Sequence, residues 1–240
     1  MRILTLVLLV LLFQLSSAQQ VVDVSKPDAR VGANSFFVTG GEPFVNTKFV
    51  NLVEGTPYFK DEWMKGIVVD AANQEYRNIQ LKIDLIDNTI HFLNDKEKEL
   101  IATVPVREVI LTEPSGNNYK FVHSIGLEKV NNVKKNNWYL WLATGTASLY
   151  KKIEKDLSEF KGYGSATVEQ SIKTREKYLI LYNYSFLEVK KIKDIPVLLP
   201  NKKKELEEFL KNKDDQKASM DDRMVKLIEY YNSLVKEHKS

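Results

Sequence analysis

From Trp63 to Leu93 the chain alternates between apolar and polar positions with the period of extended backbone. Met64, Gly66, Val68 and Asp70 interleave with Trp63, Lys65, Ile67 and Val69, and Ile79, Leu81, Ile83 and Leu85 interleave with Gln80, Lys82 and Asp84. Successive side chains of a strand face opposite sides of a sheet, whereas a helix would scatter those four aliphatic residues around its circumference. The pattern predicts strands with one buried and one wet face. Asp87-Asn88, between Ile86 and Thr89, predicts a two-residue primed turn, because both residue types tolerate positive φ. Beyond it Ile90 and Phe92 share one face, and His91 and Leu93 the other. A lone hairpin does not bury enough surface to persist, so further strands must extend this sheet.

Such strands are readable downstream. Glu99 to Val104 and Val106 to Thr112 predict two, with Pro105 at a corner because proline cannot donate to a sheet ladder. Glu113-Pro114-Ser115-Gly116 is a turn, followed by a strand from Tyr119 to Ser124. Glu128 to Asn137 is polar and reads as an exposed loop. Trp138 to Leu142 is short, aromatic and apolar, which suits a central strand. Thr167 to Glu176, Tyr178 to Tyr182 and Phe186 to Ile192 predict further strands, with a turn at Asn183-Tyr184-Ser185. Upstream, Val31 to Asn34, Gly40-Gly41 and Glu42-Pro43 are turn chemistry, and Ser35 to Thr39 and Lys48 to Val53 are candidate short strands.

Two helices are predicted at the end. Asn201 is placed to cap the first, which runs to about Lys211 with Leu206, Phe209 and Leu210 inward. Ser219 and Asp222 have capping-box spacing for the second. Met224, Leu227, Ile228, Tyr231, Leu234 and Val235 follow as one apolar stripe. The Lys202-Lys203-Lys204 run reads as the wet start of a helix.

Residues 147 to 160 admit two readings. Leu149, Ile153, Leu157 and Phe160 recur at helical spacing, which slightly favours a helix. Leu149, Ile153 and Leu157 also share one face of a strand, which would form a hairpin across Gly145. Gly145 with Leu149-Tyr150-Lys151-Lys152, the pair Lys190-Lys191, and Leu227 to Leu234 resemble the C-terminal half of a group of exported proteins of Bacteroidota. The resemblance covers roughly the last hundred residues and, more weakly, Gly66 to Leu85. It implies a strand after Gly145, so the hairpin of Trp138 to Thr144 with Ser148 to Lys155 is the reading taken, with the helix as its alternative; it brings no activity and no functional residue.

The N-terminus adds a compartment. Arg2, the apolar run Ile3 to Leu15 and the small residues Ser16-Ser17-Ala18 predict a secretory signal at residues 1–18, cleaved after Ala18. The run is short for a membrane span, and Gln14 interrupts it. The net charge of +3 is too balanced to argue for nucleic acid. Absence of cysteine removes disulfides, thiolate metal ligands and cysteine nucleophiles.

Chemistry is sparse. His91 and His123 are on predicted strands and His238 is in the terminal tail; with Asp84 the first two would form a metal site if their strands paired, but no ligand spacing supports it. Ser165 has glycines before it without the G-x-S-x-G pattern. The adjacent pairs Asp61-Glu62 and Asp214-Asp215 point apart on a strand. Asp214-Asp215 and Asp221-Asp222 also lack the ligand spacing of a calcium loop. Trp63, Trp138, Tyr139, Trp141, Tyr178, Tyr182 and Tyr184 suit core packing first and a ligand groove second. No catalytic, cofactor-binding or metal residue is assigned, and no cofactor.

Together these features predict an α+β, mostly β fold: an antiparallel β meander of about ten strands, built as a roll, a sandwich or a partly closed barrel, with two C-terminal helices. Residues 19–48 are a poorly defined lead-in, 49–199 the β domain and 200–240 the helical pair packed on it. The expected function is a non-enzymatic binding or structural module of the bacterial cell envelope, periplasmic or secreted, whose partner is an envelope protein or glycan. The alternative is a carboxylate-dependent hydrolase with a site assembled by the fold.

Overall fold

The computed structural model describes residues 21–23, 41–164, 166–211 and 217–236. The predicted leader and its cleavage point, Ser35 to Thr39, Ser165, Asp214-Asp215 and His238 lie outside the described residues. Thirteen strands are described: β1 (Val21–Asp23), β2 (Gly41–Pro43), β3 (Leu52–Glu54), β4 (Met64–Asp70), β5 (Glu75–Asp84), β6 (Thr89–Leu93), β7 (Glu99–Ala102), β8 (Val106–Thr112), β9 (Asn118–His123), β10 (Trp138–Ala143), β11 (Ser148–Phe160), β12 (Glu169–Tyr182) and β13 (Ser185–Val189). Three helices follow, α1 (Ile195–Leu198), α2 (Lys203–Phe209) and α3 (Met220–Lys236). The fold is the expected mostly β, mostly antiparallel sheet, and it is not closed into a barrel. A short helix, α1, precedes the expected helical pair.

The sheet order is β13-β12-β11-β10-β9-β8-β4-β5-β6-β7-β2, so from β4 onward the meander is broken once, where β8 returns to the free side of β4. β1 and β3 add in parallel beside stretches of β5 and β12 that β6 and β13 do not reach. The break shapes the molecule. A flat sheet would hold β7 and β8 about 19 Å apart, four strand spacings. The chain from Ala102 to Val106 spans at most about 15 Å. The sheet must therefore curl, and Trp138 on β10 confirms it by donating its Nε1 hydrogen to the carbonyl of Asn88 in the β5–β6 turn, at 3.1 Å. Bulges supply part of the curl: register slips between Gly66 and Ile67, opposite Asn78 at φ 61°, and between Val69 and Asp70.

Inside the curl lies one core, in which Met64, Ile79, Leu81, Phe92, Phe121 and Trp138 pack together. The alternation of β4 and β5 appears as predicted, with Met64, Gly66 and Val68 buried against exposed Lys65, and Ile79, Leu81 and Ile83 buried. A second core lies between α1–α3 and β10–β13, where Leu149, Ile180 and Val189 meet Leu206, Leu227 and Tyr231. Of the predicted α3 stripe Met224, Leu227, Ile228 and Tyr231 are buried and Leu234 and Val235 half-buried, and Ser219 accepts from the Asp222 amide at 3.1 Å. Lys151 bonds Asp221 in the first turn of α3 at 2.6 Å, and the Tyr178 hydroxyl reaches the other Asp221 oxygen at 2.5 Å. Burial, with Asp221 beside it, holds the Tyr178 phenol protonated far above its ordinary range.

Several sequence readings need correction. Residues 147–160 take the hairpin reading over the helical one that periodicity alone slightly favours: β11 is a thirteen-residue strand paired along its whole length with β12. Its helical spacing was accidental to burial on both faces. The β5–β6 connection is a four-residue turn, Leu85 to Asn88, in which Asp84 Oδ1 accepts from the Ile86 and Asp87 amides and only Asn88 is left-handed. The two-residue primed turn is instead Asn183-Tyr184, both at positive φ. Gly41 to Pro43 is an edge strand rather than a turn, a place where proline costs no ladder bond. The strand expected at Lys48 to Val53 starts at Leu52. Asn201 does not cap α2; Lys202 holds that position without a side-chain capping bond, is buried rather than wet, and pairs with Glu205 at 3.5 Å.

Candidate functional site

Pro57 to Phe59 continue the line of β4 along β5: the Phe59 amide donates to the Ile83 carbonyl at 2.8 Å, and the Leu85 amide to the Pro57 carbonyl at 2.9 Å. This crossing lays Tyr58, Asp61 and Trp63 over the outer face of β5 and β6. That face carries Gln80, Lys82 and Asp84 from β5 and His91 and Leu93 from β6, since their neighbours point into the curl.

His91 is fully enclosed here, at 1% exposure. The Phe44 and Tyr58 rings stand edge-on to it at 4.6 and 5.3 Å. Its Nδ1 lies 2.7 Å from Glu99 Oε1. A carboxylate only accepts, so Nδ1 carries the hydrogen. The Tyr58 hydroxyl sits 3.4 Å from the same oxygen. Burial first, then Glu99, pushes the Tyr58 phenol well above its ordinary value, so it remains a donor. A histidine clamped this way between two rings and a carboxylate ties the β6–β7 hairpin to the crossing segment; no substrate reaches it.

Lys82 lies between two aromatic rings, 4.7 Å from the centre of Tyr58 and 4.9 Å from that of Trp63, and donates to Asp61 at 2.8 Å. The indole is thereby fixed at the margin of an open groove of about 370 Å³ lined by Trp63, Asn78, Ile79, Gln80, Leu93, Asn94, Asp95 and Glu97. The floor comes from the bulge in β5. The rim is the β6–β7 turn, in which Asn94 Oδ1 accepts from the Lys96 and Lys98 amides and Glu97 is left-handed. Gln80 Oε1 is buried in the floor without a hydrogen-bond partner.

Asp84 sits beside this face, 3% exposed. Burial raises its carboxyl, and the Ile86 and Asp87 amides oppose the rise. A carboxyl whose folded value exceeds its unfolded one binds a proton more tightly in the fold. The contribution of this carboxyl to stability is then fully present in acid and is lost as pH rises from the ordinary value near 3.8 through the folded one. Asp84→Asn keeps the acceptor for both amides and removes the charge. The variant is expected to be more stable than the native chain at neutral pH and equal to it in acid, as thermal melts at the two conditions would report.

Of the groups nominated from sequence, Asp84 and His91 share this face and interact electrostatically, whereas His123 does not join them. His123 is on β9, with β8, β4 and β5 between it and β6. Its ring packs on Trp138 at 4.8 Å, its Nδ1 accepts from the Ile125 amide at 3.5 Å, and its Nε2 faces Asn136 Oδ1 at 3.3 Å. Burial lowers its pKa and keeps it neutral. It borders a second groove, of about 520 Å³, with Ile125, Leu127, Val130, Val133 and Lys135 among its walls. Among the described residues no group of three or more His, Asp or Glu is arranged to hold a metal. Asp61 pairs with Lys82 while Glu62 is exposed, and Asp221 and Asp222 serve Lys151 and Ser219 separately.

Of the aromatic set, Trp138 and Tyr139 are core. Trp141 stacks on Tyr150 at 5.7 Å with Lys120 over its ring. Tyr182 meets Tyr231, and Tyr184 is exposed in its turn. Trp63 borders the groove. The sequence reading named Trp63 but missed Gln80, Asn94, Asp95 and Glu97 as its companions. No helix among the described residues is long and apolar enough to cross a membrane. No protein-family model, curated protein or solved structure matches the chain.

Proposed function

We propose that the chain is a non-enzymatic binding or structural module of the bacterial cell envelope, exported by its leader and acting through the outer face of β5 and β6. The observation that carries this reading is the contrast between enclosed chemistry and open surface. His91 and His123 are each held in ring-packed, hydrogen-bonded settings, whereas Trp63 and the amides beside it line an open groove. Rigid strands position that groove, as recognition requires.

One observation favours the hydrolase alternative: Asp95 and Glu97 both line the groove. Both are exposed in a turn, and a general acid at neutral pH needs a carboxyl removed from water. Binding therefore takes precedence. Purified mature protein, beginning at Gln19 by N-terminal sequencing, is expected to co-sediment with isolated cell-envelope fragments and to leave glycosidase, esterase and peptidase substrates intact. Turnover that disappears in Asp95→Asn or Glu97→Gln would replace this reading with the hydrolase.

A further inference from the structure

Resting on the binding reading, we infer that the Trp63 groove is a subsite for a neutral, hydroxyl-rich oligosaccharide. Its volume, about 370 Å³, lies within the range of small-ligand clefts. Its composition matches a sugar in three respects. The indole of Trp63 offers an apolar surface for the C–H face of a pyranose, and Lys82, anchored on Asp61, immobilises that ring in advance. The floor carries amides, which pair with hydroxyls as donors and acceptors alike. Gln80 is one of these amides, lining the floor beside the indole, and its Oε1 makes no hydrogen bond within the protein.

The rim sets the charge of the ligand. Asp95 and Glu97 line the groove as acceptors for vicinal hydroxyls, and with exposed Lys96 and Lys98 alternating beside them on the same turn the rim is balanced in charge, which suits a neutral ligand. The nearest cation at the indole, Lys82, is already paired with Asp61. An acidic polysaccharide would meet two carboxylates without a free counter-charge from that lysine. A peptide would find little apolar depth beyond Leu93 and the indole.

The test is titration calorimetry of the folded mature protein with soluble hexaoses of glucose, mannose, xylose and N-acetylglucosamine, and with polygalacturonate as the acidic probe. At least one neutral hexaose is expected to bind. Trp63→Ala should weaken it by about tenfold, equivalent to about 1.4 kcal/mol, Gln80→Ala and Asp95→Ala should weaken it several-fold, and Trp141→Ala should leave it unchanged. Near-UV circular dichroism identifies any variant that has lost its fold, and Trp63→Phe, which keeps an aromatic surface, should retain partial binding. Three results overturn the inference: no neutral hexaose binds, binding is indifferent to Trp63, or polygalacturonate binds more tightly. Envelope co-sedimentation that persists in Trp63→Ala while no hexaose binds removes the sugar subsite and leaves the envelope reading intact. Trp63-dependent hexaose binding without co-sedimentation does the reverse.

Discussion

Asn232→Ala is expected to destabilise the protein by about 3 kcal/mol or more, because it strips two buried backbone groups of their partners. Asn232 is on α3, 5% exposed, yet it serves the β10–β11 turn. Its Oδ1 accepts from the Ala147 amide at 2.9 Å, and its Nδ2 donates to the Ala147 carbonyl at 2.9 Å and reaches the Thr144 carbonyl at 3.4 Å. The side-chain amide thus acts as a strand neighbour for a fully buried residue. Each unpaired buried group costs about 1–3 kcal/mol, so the two losses set the scale. Gly145 is there for the same reason: a Cβ on it would overlap the Asn232 amide. Gly145→Ala must push that amide off Ala147 and is expected to cost a similar amount. The two changes should then be partly non-additive: removing Asn232 relieves the overlap, while the positive φ of Gly145, 157°, still disfavours alanine there. Chemical denaturation of the two single variants and the double variant measures this. Additive costs, or a loss of less than about 1 kcal/mol in Asn232→Ala, would refute the account.

The same hairpin explains what sequence periodicity missed. β4, β5 and β8 are legible because one face of each meets the core of the curl and alternation survives. β11 loses its alternation, since Ser148 to Ile153 are all buried. Leu149 belongs to the core beneath the helices, Tyr150 to a separate cluster with Tyr139 and Phe186, and Ile153 to the core of the curl. Lys151 and Lys152 between them are buried by their partners Asp221 and Glu154. With both faces covered, neither period two nor period 3.6 is selected, and helical spacing survives by accident. The strand pairing of β10 with β11 and of β11 with β12 is what decides between the two periods.

The groove was half legible. Trp63 stands out as a tryptophan at a strand start, but its companions are ordinary polar residues of a strand face and a turn. A faint signal exists in the phase of β5. Tyr76 and Ile79 are both buried, and their odd separation breaks period two between them. Such a slip is the signature of a bulge, and Asn78 is the residue that takes the left-handed conformation there. The bulge turns Asn78 and Gln80 toward the Trp63 side. What sequence could not supply is the crossing of residues 57–63 over β5, because long-range pairing of a loop with a strand leaves no local pattern.

Across the ladder from that bulge, Gly66→Val is expected to be the most damaging change in the curl, at about 3 kcal/mol or more. Gly66 pairs with Ile79 on one side and with Leu111 on the other, in the most interior part of the sheet. It takes the buried phase of β4 between Met64 and Val68, so a side chain there would point into the core. A Cβ would overlap Leu81 Cδ1 and stand 2.9 Å from the Ile110 carbonyl oxygen. Leu81 is fully buried in the core of the curl, and the carbonyl belongs to backbone paired with β4. Gly66→Ala should already shift the denaturation midpoint, and the two further methyls of valine should deepen the loss. Leu81→Ala in the Gly66→Ala background separates the two contacts. It removes the leucine overlap but not the carbonyl one, so it should rescue only part of the cost of Gly66→Ala relative to Leu81→Ala alone. Full rescue would assign the strain to Leu81, and an unchanged midpoint in Gly66→Val would show that β4 does not approach β8 this closely.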